Sequence, residues 1–262
     1  MASALHIAKT GLDAQQTRMS VIANNLANVG TSGFKKGRAS FEDLLYETVS
    51  QPGGSSSQNT ELPSGLLLGT GVRTVSTEKI FTQGSLNRTE SSLDMAIQGR
   101  GFFQILMPDG TPAFTRDGSF SINAQGQVVT SSGYELDPGI TIPPETTSIT
   151  VGADGTVSAQ VAGNSTPQQI GNIQLADFIN PQGLQAVGQN LFRETVASGN
   201  PQTGNPGLNG LGSLIQGSLE ASNVNAVEEL VNMIETQRSY EMNSKAIQTV
   251  DEMLQETTNI KR

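Results

Sequence analysis

The chain has 262 residues, a formal net charge of −9 from 24 acidic against 15 basic side chains, and neither cysteine nor tryptophan. That inventory excludes disulfides and thiolate metal sites, and it leaves the fold indifferent to the redox state of its compartment. It also argues against a nucleic-acid partner, because phosphate contacts need clustered Lys and Arg.

The first ten residues, Met1-Ala-Ser-Ala-Leu-His-Ile-Ala-Lys-Thr10, contain neither a charged n-region nor a continuous apolar h-region. A cleaved Sec signal is therefore not expected. No run in the chain approaches the ~18 apolar residues of a membrane-spanning helix, so membrane insertion is not expected either. From Ser3 to Val29 the apolar residues Leu5, Ala8, Leu12, Met19, Ile22, Leu26 and Val29 follow one another at alternating threes and fours, with Gln15 as a polar break. This spacing predicts an amphipathic helix with a heptad seam. It should stop near Gly30, since Gly30, Ser32 and Gly33 follow the last periodic residue. Beside that stop, Lys35, Lys36 and Arg38 read as a solvated helix end rather than a binding patch.

Residues 50–65 are rich in Gly, Ser, Gln and Pro and read as a flexible linker in an isolated chain. From about Gly71 to Gly217, short alternating runs such as 102–106, 113–115, 127–130 and 148–151 are separated by turn pairs, among them Asp109-Gly110, Asp117-Gly118 and Asp154-Gly155. Such a pattern predicts antiparallel hairpins and a compact all-β domain. Residues 197–213 form a further loop-rich stretch.

Near the C-terminus Ala226, Met233, Tyr240, Ile247 and Leu254 lie seven apart, and Val227, Leu230, Val231 and Ile234 widen the apolar face. Asn225 followed by Glu228 resembles a capping box, and Glu228 and Glu229 suit the positive end of a helix dipole. A second helix is predicted over 224–257. Its middle, with Gln237, Arg238, Glu241, Asn243, Ser244 and Lys245 around Tyr240, is more polar than a simple seam. Polar seam residues select register and partner; alternatively the stretch faces solvent.

The expected fold class is α+β, with N- and C-terminal helices forming a coiled coil and an all-β domain inserted between them. The expected divisions are 1–45 and 218–262 for the helical domain, 46–70 for an extended Gly/Ser-rich segment, and 71–217 for the β-domain. Neither helix has a sequence neighbour to cover its stripe.

No catalytic, cofactor-binding or metal-binding residues are assigned, and no cofactor is expected. The single histidine, His6, falls between seam positions of a helix and suits an interface or solvent better than catalysis. A two-carboxylate glycan hydrolase could draw on Asp94, Asp117, Glu135 and Asp154, but no spacing selects a pair. The Asn87 and Asn164 glycosylation sequons match by chance often enough to carry no weight.

The segment Ala23-Asn-Asn-Leu-Ala-Asn-Val-Gly-Thr-Ser-Gly-Phe-Lys35 resembles the N-terminal signature of the bacterial flagellar rod and hook family, and residues 222–247 resemble its C-terminal signature. Residues 9–16, 41–46, 62–66 and 99–104 are similar to the distal-rod branch, so the resemblance runs nearly end to end. It implies a structural subunit, not an enzyme, that leaves the cytoplasm through the flagellar type III export apparatus and polymerises into a hollow tube crossing the periplasm. Implied partners are further copies of the chain, other rod subunits and hook protein, and the periplasmic and outer-membrane bushing rings. The seams and the resemblance together place Leu5, Leu12, Met19, Ile22, Asn24, Asn25, Leu26, Asn28, Phe34, Val227, Leu230, Val231, Met233, Ile234, Tyr240, Ile247 and Leu254 at subunit interfaces. Asn24, Asn25 and Asn28 would fix register through side-chain hydrogen bonds, or only cap the helix. Residues 46–66 resemble a segment that marks the distal rod against the flexible hook. A proximal rod subunit and a secreted glycan-binding or glycan-hydrolysing protein are the alternatives.

Overall fold

The computed structural model describes residues 2–51, 55–57, 60–61, 64–163 and 166–260; the side chains of 2–4, 55–57, 60–61, 254 and 257–260 lie outside the described set. The fold is α+β. A helix α1 (Ala2–Ala27) opens it, short strands fill its middle, and a helix α2 (Ala226–Ile260) closes it. The chain divides into two compact units. Unit 1 contains residues 1–26, 37–78 and 225–262, and unit 2 contains 27–36 and 79–224.

Unit 1 is built on α1. At the head of α2, Asn225 Oδ1 accepts the backbone N–H groups of Val227 and Glu228 at 3.1 and 3.5 Å, satisfying amides that have no partner inside the helix. Two points locate α2 against α1. A Cβ on Gly11 would sit 3.1 Å from Asn243 Nδ2, and Asn25 Nδ2 donates to Glu229 Oε2 at 3.2 Å. Gly11 and Asn25 are separated by as many residues on α1 as Asn243 and Glu229 on α2, in the opposite direction. The two helices therefore run side by side and antiparallel.

A two-stranded ribbon, Gly37–Asp43 with Val72–Lys79, also meets α1. At one end Asn25 bonds Gly37, and at the other Thr10 Oγ1 accepts the Val72 N–H at 3.3 Å. The helix from Thr10 to Asn25 and the strand from Val72 to Lys79 are each on the order of 23 Å long, at about 1.5 Å per helical and 3.3 Å per extended residue. Matched lengths let one ribbon run along the helix. A second ribbon, Tyr46–Ser50 with Leu66–Gly69, follows; Tyr46, Val49, Leu66, Leu67 and Leu68 on it are all exposed.

Unit 2 is β-structure. Its main sheet has nine strands among the described residues and is centred on Phe102–Leu106. Successive side chains of that strand point to opposite faces. Phe103 and Ile105 therefore join Leu136, Ile140, Ile173 and Leu175 in one core, whereas Phe102 joins Phe114, Phe178 and Phe192 in another. The rings of the second core meet edge to face, as in Phe114 and Phe178 with centroids 4.8 Å apart.

One turn recurs at 107–111, 123–127, 130–134 and 152–156. The first residue exchanges backbone hydrogen bonds with the fifth and the fourth, and a glycine with positive φ stands at the fourth place: Gly110, Gly126, Gly133 and Gly155. This is the three-residue hairpin loop with a left-handed bulge residue, which selects glycine. Asp109 and Asp154 reinforce two of these turns by accepting from Thr111 and Thr156, and those hydrogen bonds hold both carboxyls below their ordinary range. Asp117-Gly118 is different. Gly118 faces the backbone of Met95 so closely that a Cβ would overlap the Met95 carbonyl oxygen, and its own carbonyl accepts the Met95 N–H at 3.0 Å. Its glycine serves a close approach of two chains.

Candidate assembly interface

The seam residues separate by face. On α1, Ile22 is buried, while Leu5, Leu12, Met19 and Leu26 are half-buried. On α2, Glu229 and Thr236 are buried and Asn243 is half-buried; they lie seven apart and so share one stripe. That stripe is the one that meets α1, and Met233, Tyr240 and Ile247 alternate with it at threes and fours, so the contact face is mixed. Thr236 turns its hydroxyl back to the Asn232 carbonyl at 2.6 Å, which lets a polar residue be buried without an unmet donor.

The opposite stripe of α2 is apolar and open. Val227 is 70% exposed, Leu230 46%, Val231 51% and Ile234 49%. Met233 and Ile247 are half-buried on the α1-facing side, and Tyr240, between them, is exposed. The side chain of Leu254 lies outside the described residues. A soluble monomer seldom leaves a contiguous row of branched aliphatic side chains in water, and such a row marks a contact surface.

The three asparagines of the N-terminal signature do different work. Asn25 is 1% exposed; its amide donates to Gly37 O at 2.9 Å and its oxygen accepts from Gly37 N at 2.8 Å, so it copies a strand neighbour for the start of the ribbon. Asn28 Oδ1 accepts the Thr31 hydroxyl at 3.2 Å, where α1 gives way to the turn. Asn24, one residue from Asn25, is exposed. Phe34 is buried in unit 2 beneath Lys79, whose Nζ stands 4.3 Å from the ring centroid.

Within the basic group beside the turn Arg38 is exposed and pairs with Glu78, but Lys35 is not solvated. Lys35 is buried, and its Nζ donates to Glu220 Oε1 at 2.6 Å and to Thr82 O at 2.9 Å. Burial, more than any neighbour, pulls its pKa down, with Glu220 opposing and Arg116 reinforcing the fall. The acid that compensates it stands 185 positions away, so a local reading could not see it. Of the carboxylates available to a hydrolase, Asp154 is engaged in its turn, and Asp117 accepts from the Ser119 N–H and hydroxyl. Burial first, and Asp94 last among the causes, bear on the upward shift of Asp117.

Known proteins are similar to this chain along its whole length. Residues 5–35 match the family described as flagella basal body rod protein, residues 96–159 the flagellar hook protein FlgE/F/G D1 domain, and residues 215–260 the flagellar basal body rod FlgEFG protein C-terminal region. The flagellar basal-body rod protein FlgG of Buchnera aphidicola subsp. Schizaphis graminum is 57% identical over 99% of this chain and 100% of its own length. The proteins of that name from Caulobacter vibrioides and Bacillus subtilis are 49% and 40% identical, over 98% and 100% of this chain and 99% and 100% of their own lengths. The chain therefore belongs to the flagellar basal-body rod family, among the relatives that carry the name FlgG.

Proposed function

We propose that the chain is a structural subunit of the flagellar distal rod that self-assembles into a rigid, hollow, helical tube, transmitting torque to the hook and conducting exported subunits. The observation that carries this reading is the open apolar stripe of α2, Val227, Leu230, Val231 and Ile234, on the side away from its polar contact with α1. The helix pair meets through a mixed face and leaves a wholly aliphatic row of α2 open. A neighbouring copy is the natural cover: a patch that meets a different patch on the next copy makes a heterologous contact, and repeated heterologous contacts give an open helical assembly.

In this reading α1 and α2 form a coiled coil lining the tube. Leu5, Leu12, Met19, Ile22, Leu26, Asn24, Asn25, Asn28, Phe34, Met233, Tyr240, Ile247 and Leu254 join the open stripe in or beside the subunit contacts. Other rod and hook components cap the polymer, the bushing rings surround it, and the type III apparatus delivers the chain.

Replacing Val231 and Ile234 together by glutamate should abolish tubes seen by electron microscopy and leave a slowly sedimenting monomer with unchanged melting temperature, because neither side chain contributes to a folded core. Tubes from that variant equal to those of the unaltered chain would remove the basis of the proposal. The ribbon Tyr46–Ser50 with Leu66–Gly69 supports a second element of it. A two-stranded ribbon with exposed aliphatic residues is marginal alone and gains from a neighbour. Removing residues 50–65 should yield assemblies that bend, measured as a shorter persistence length in micrographs; assemblies as straight as before would contradict that role.

A further inference from the structure

Unit 2 contains a buried charge group that takes no part in the proposed contacts. Lys35 and Glu220 have fully buried side chains, and Arg116 is 4% exposed with its Nε 3.4 Å from Glu220 Oε2. Two cations thus share the Glu220 carboxylate, with Asp177 as a further anion acting on Arg116. Arg116 Nη2 donates to Gly99 O at 2.7 Å, while Nη1 finds no hydrogen-bond partner among the described residues.

The same place joins distant pieces of chain. Gly33 N donates to the Glu220 carbonyl at 2.8 Å, Lys36 N donates to Asn223 Oδ1 at 2.7 Å, and Gly84 N donates to Glu220 Oε1 at 2.9 Å. Gly33 also lies flat on the backbone of Arg116 and Asp117, where a Cβ would come within 2.6 Å of Asp117 N. Residues 27–36 are therefore a separate piece of unit 2, and residues 220–223 hold it in.

We propose that Glu220 is the keystone of a folding-order lock: residues 27–36 enter unit 2 only when the strand Ser218–Glu220 has brought its carboxylate to Lys35 and Arg116. Without that carboxylate, docking would bury Lys35 with no counterion beside the like charge of Arg116, and an uncompensated buried charge is strongly unfavourable. A chain whose residues beyond about 216 have not yet joined the fold holds 27–36 undocked. On the rod reading above, this keeps the segment that follows α1 open until almost the whole chain has been delivered.

The charge arithmetic makes the lock asymmetric. Glu220→Gln keeps the shape and the hydrogen-bonding oxygen but leaves Lys35 unopposed beside Arg116, which retains only Asp177. Lys35→Met keeps the stem and leaves a neutral Arg116–Glu220 pair. In the full-length chain, kept as a monomer at low concentration so that tube formation does not enter, Glu220→Gln should accelerate amide exchange at Gly33 and Lys36 by about a hundredfold or more. Amides of the Phe102–Leu106 strand should stay protected. Lys35→Met should leave Gly33 and Lys36 exchanging within about threefold of the unaltered chain, because no charge is left unopposed. Unchanged exchange in Glu220→Gln, or equal opening in Lys35→Met, overturns the proposal. Should Glu220→Gln fail to fold, the triple variant Lys35→Met, Arg116→Met, Glu220→Met decides. The lock requires this uncharged version to close without its keystone, and a triple variant that is equally unfolded sinks it.

Discussion

Gly118→Ala should lower the melting temperature of unit 2 by roughly 6–12 °C, the equivalent of about 3 kcal/mol in a domain of this size, while Gly110→Ala should lower it by only about 2–4 °C. Both glycines follow an aspartate, and by sequence the two pairs are the same turn signal. Gly110 has φ +77° and open space where a Cβ would go, so alanine there bears only the strain of a left-handed backbone. Gly118 is not left-handed; its missing Cβ makes room for the Met95 carbonyl, and the Met95 N–H bond to Gly118 O and the Asp94 bridge to Ser119 both depend on that approach. Alanine must push two backbones apart beside Met95, Ala96 and Ile97, which are all buried. Thermal denaturation of the two variants separates the causes. Equal losses would mean that conformation, and not contact, selects glycine at 118.

That pair shows where the sequence was legible and where it was not. The helices and their caps are local events: a period of threes and fours, an asparagine at a helix head, a glycine past the end. The structure places α1 and α2 where these signals do. Asp109-Gly110 and Asp154-Gly155 are equally local, and both form hairpin turns. The ribbon Gly37–Asp43 with Val72–Lys79 was not legible, because its first strand reads Gly-Arg-Ala-Ser-Phe-Glu-Asp, without alternation, and its partner begins only at Val72. It exists because α1 offers it a side, from Thr10 to Asn25. Lys35 is the clearest case. A lysine next to another lysine beside a turn belongs in water on local evidence, and only Glu220 and the Thr82 carbonyl, distant in the chain, make its burial tolerable, against the opposing charge of Arg116. On α2 the apolar residues were legible as a stripe, but the polar half of the face toward α1 was not. A glutamate, a threonine and an asparagine seven apart give no hydrophobic signal, yet they interleave with Met233, Tyr240 and Ile247 on that face.

Asn25→Ala should destabilise unit 1 by about 3 kcal/mol, whereas Asn24→Ala should change the stability of the monomer by less than about 0.5 kcal/mol. The two neighbours are chemically identical, and burial alone distinguishes them. Removing the Asn25 amide deletes its bonds to the Gly37 carbonyl and N–H and to Glu229, and leaves those groups facing a methyl. Each such bond is worth about 1 kcal/mol, and stranding its buried partner costs more than the bond itself contributes. Asn25→Asp should be worse than alanine, because a carboxylate can donate to neither acceptor and would sit beside the Glu229 carboxylate. Chemical denaturation followed by helical circular dichroism measures the monomer, and sedimentation of the same samples under assembly conditions measures the polymer. On the proposed contacts, Asn24→Ala should then impair assembly at nearly unchanged monomer stability, because Asn24 is exposed where Asn25 is buried. Asn24→Ala tubes indistinguishable from those of the unaltered chain would take Asn24 out of the interface and leave Asn25 as a folding residue alone. A stability loss at Asn24 equal to that at Asn25 would show that the signature pair acts as one helix cap, with no division between the fold and the contacts beyond it.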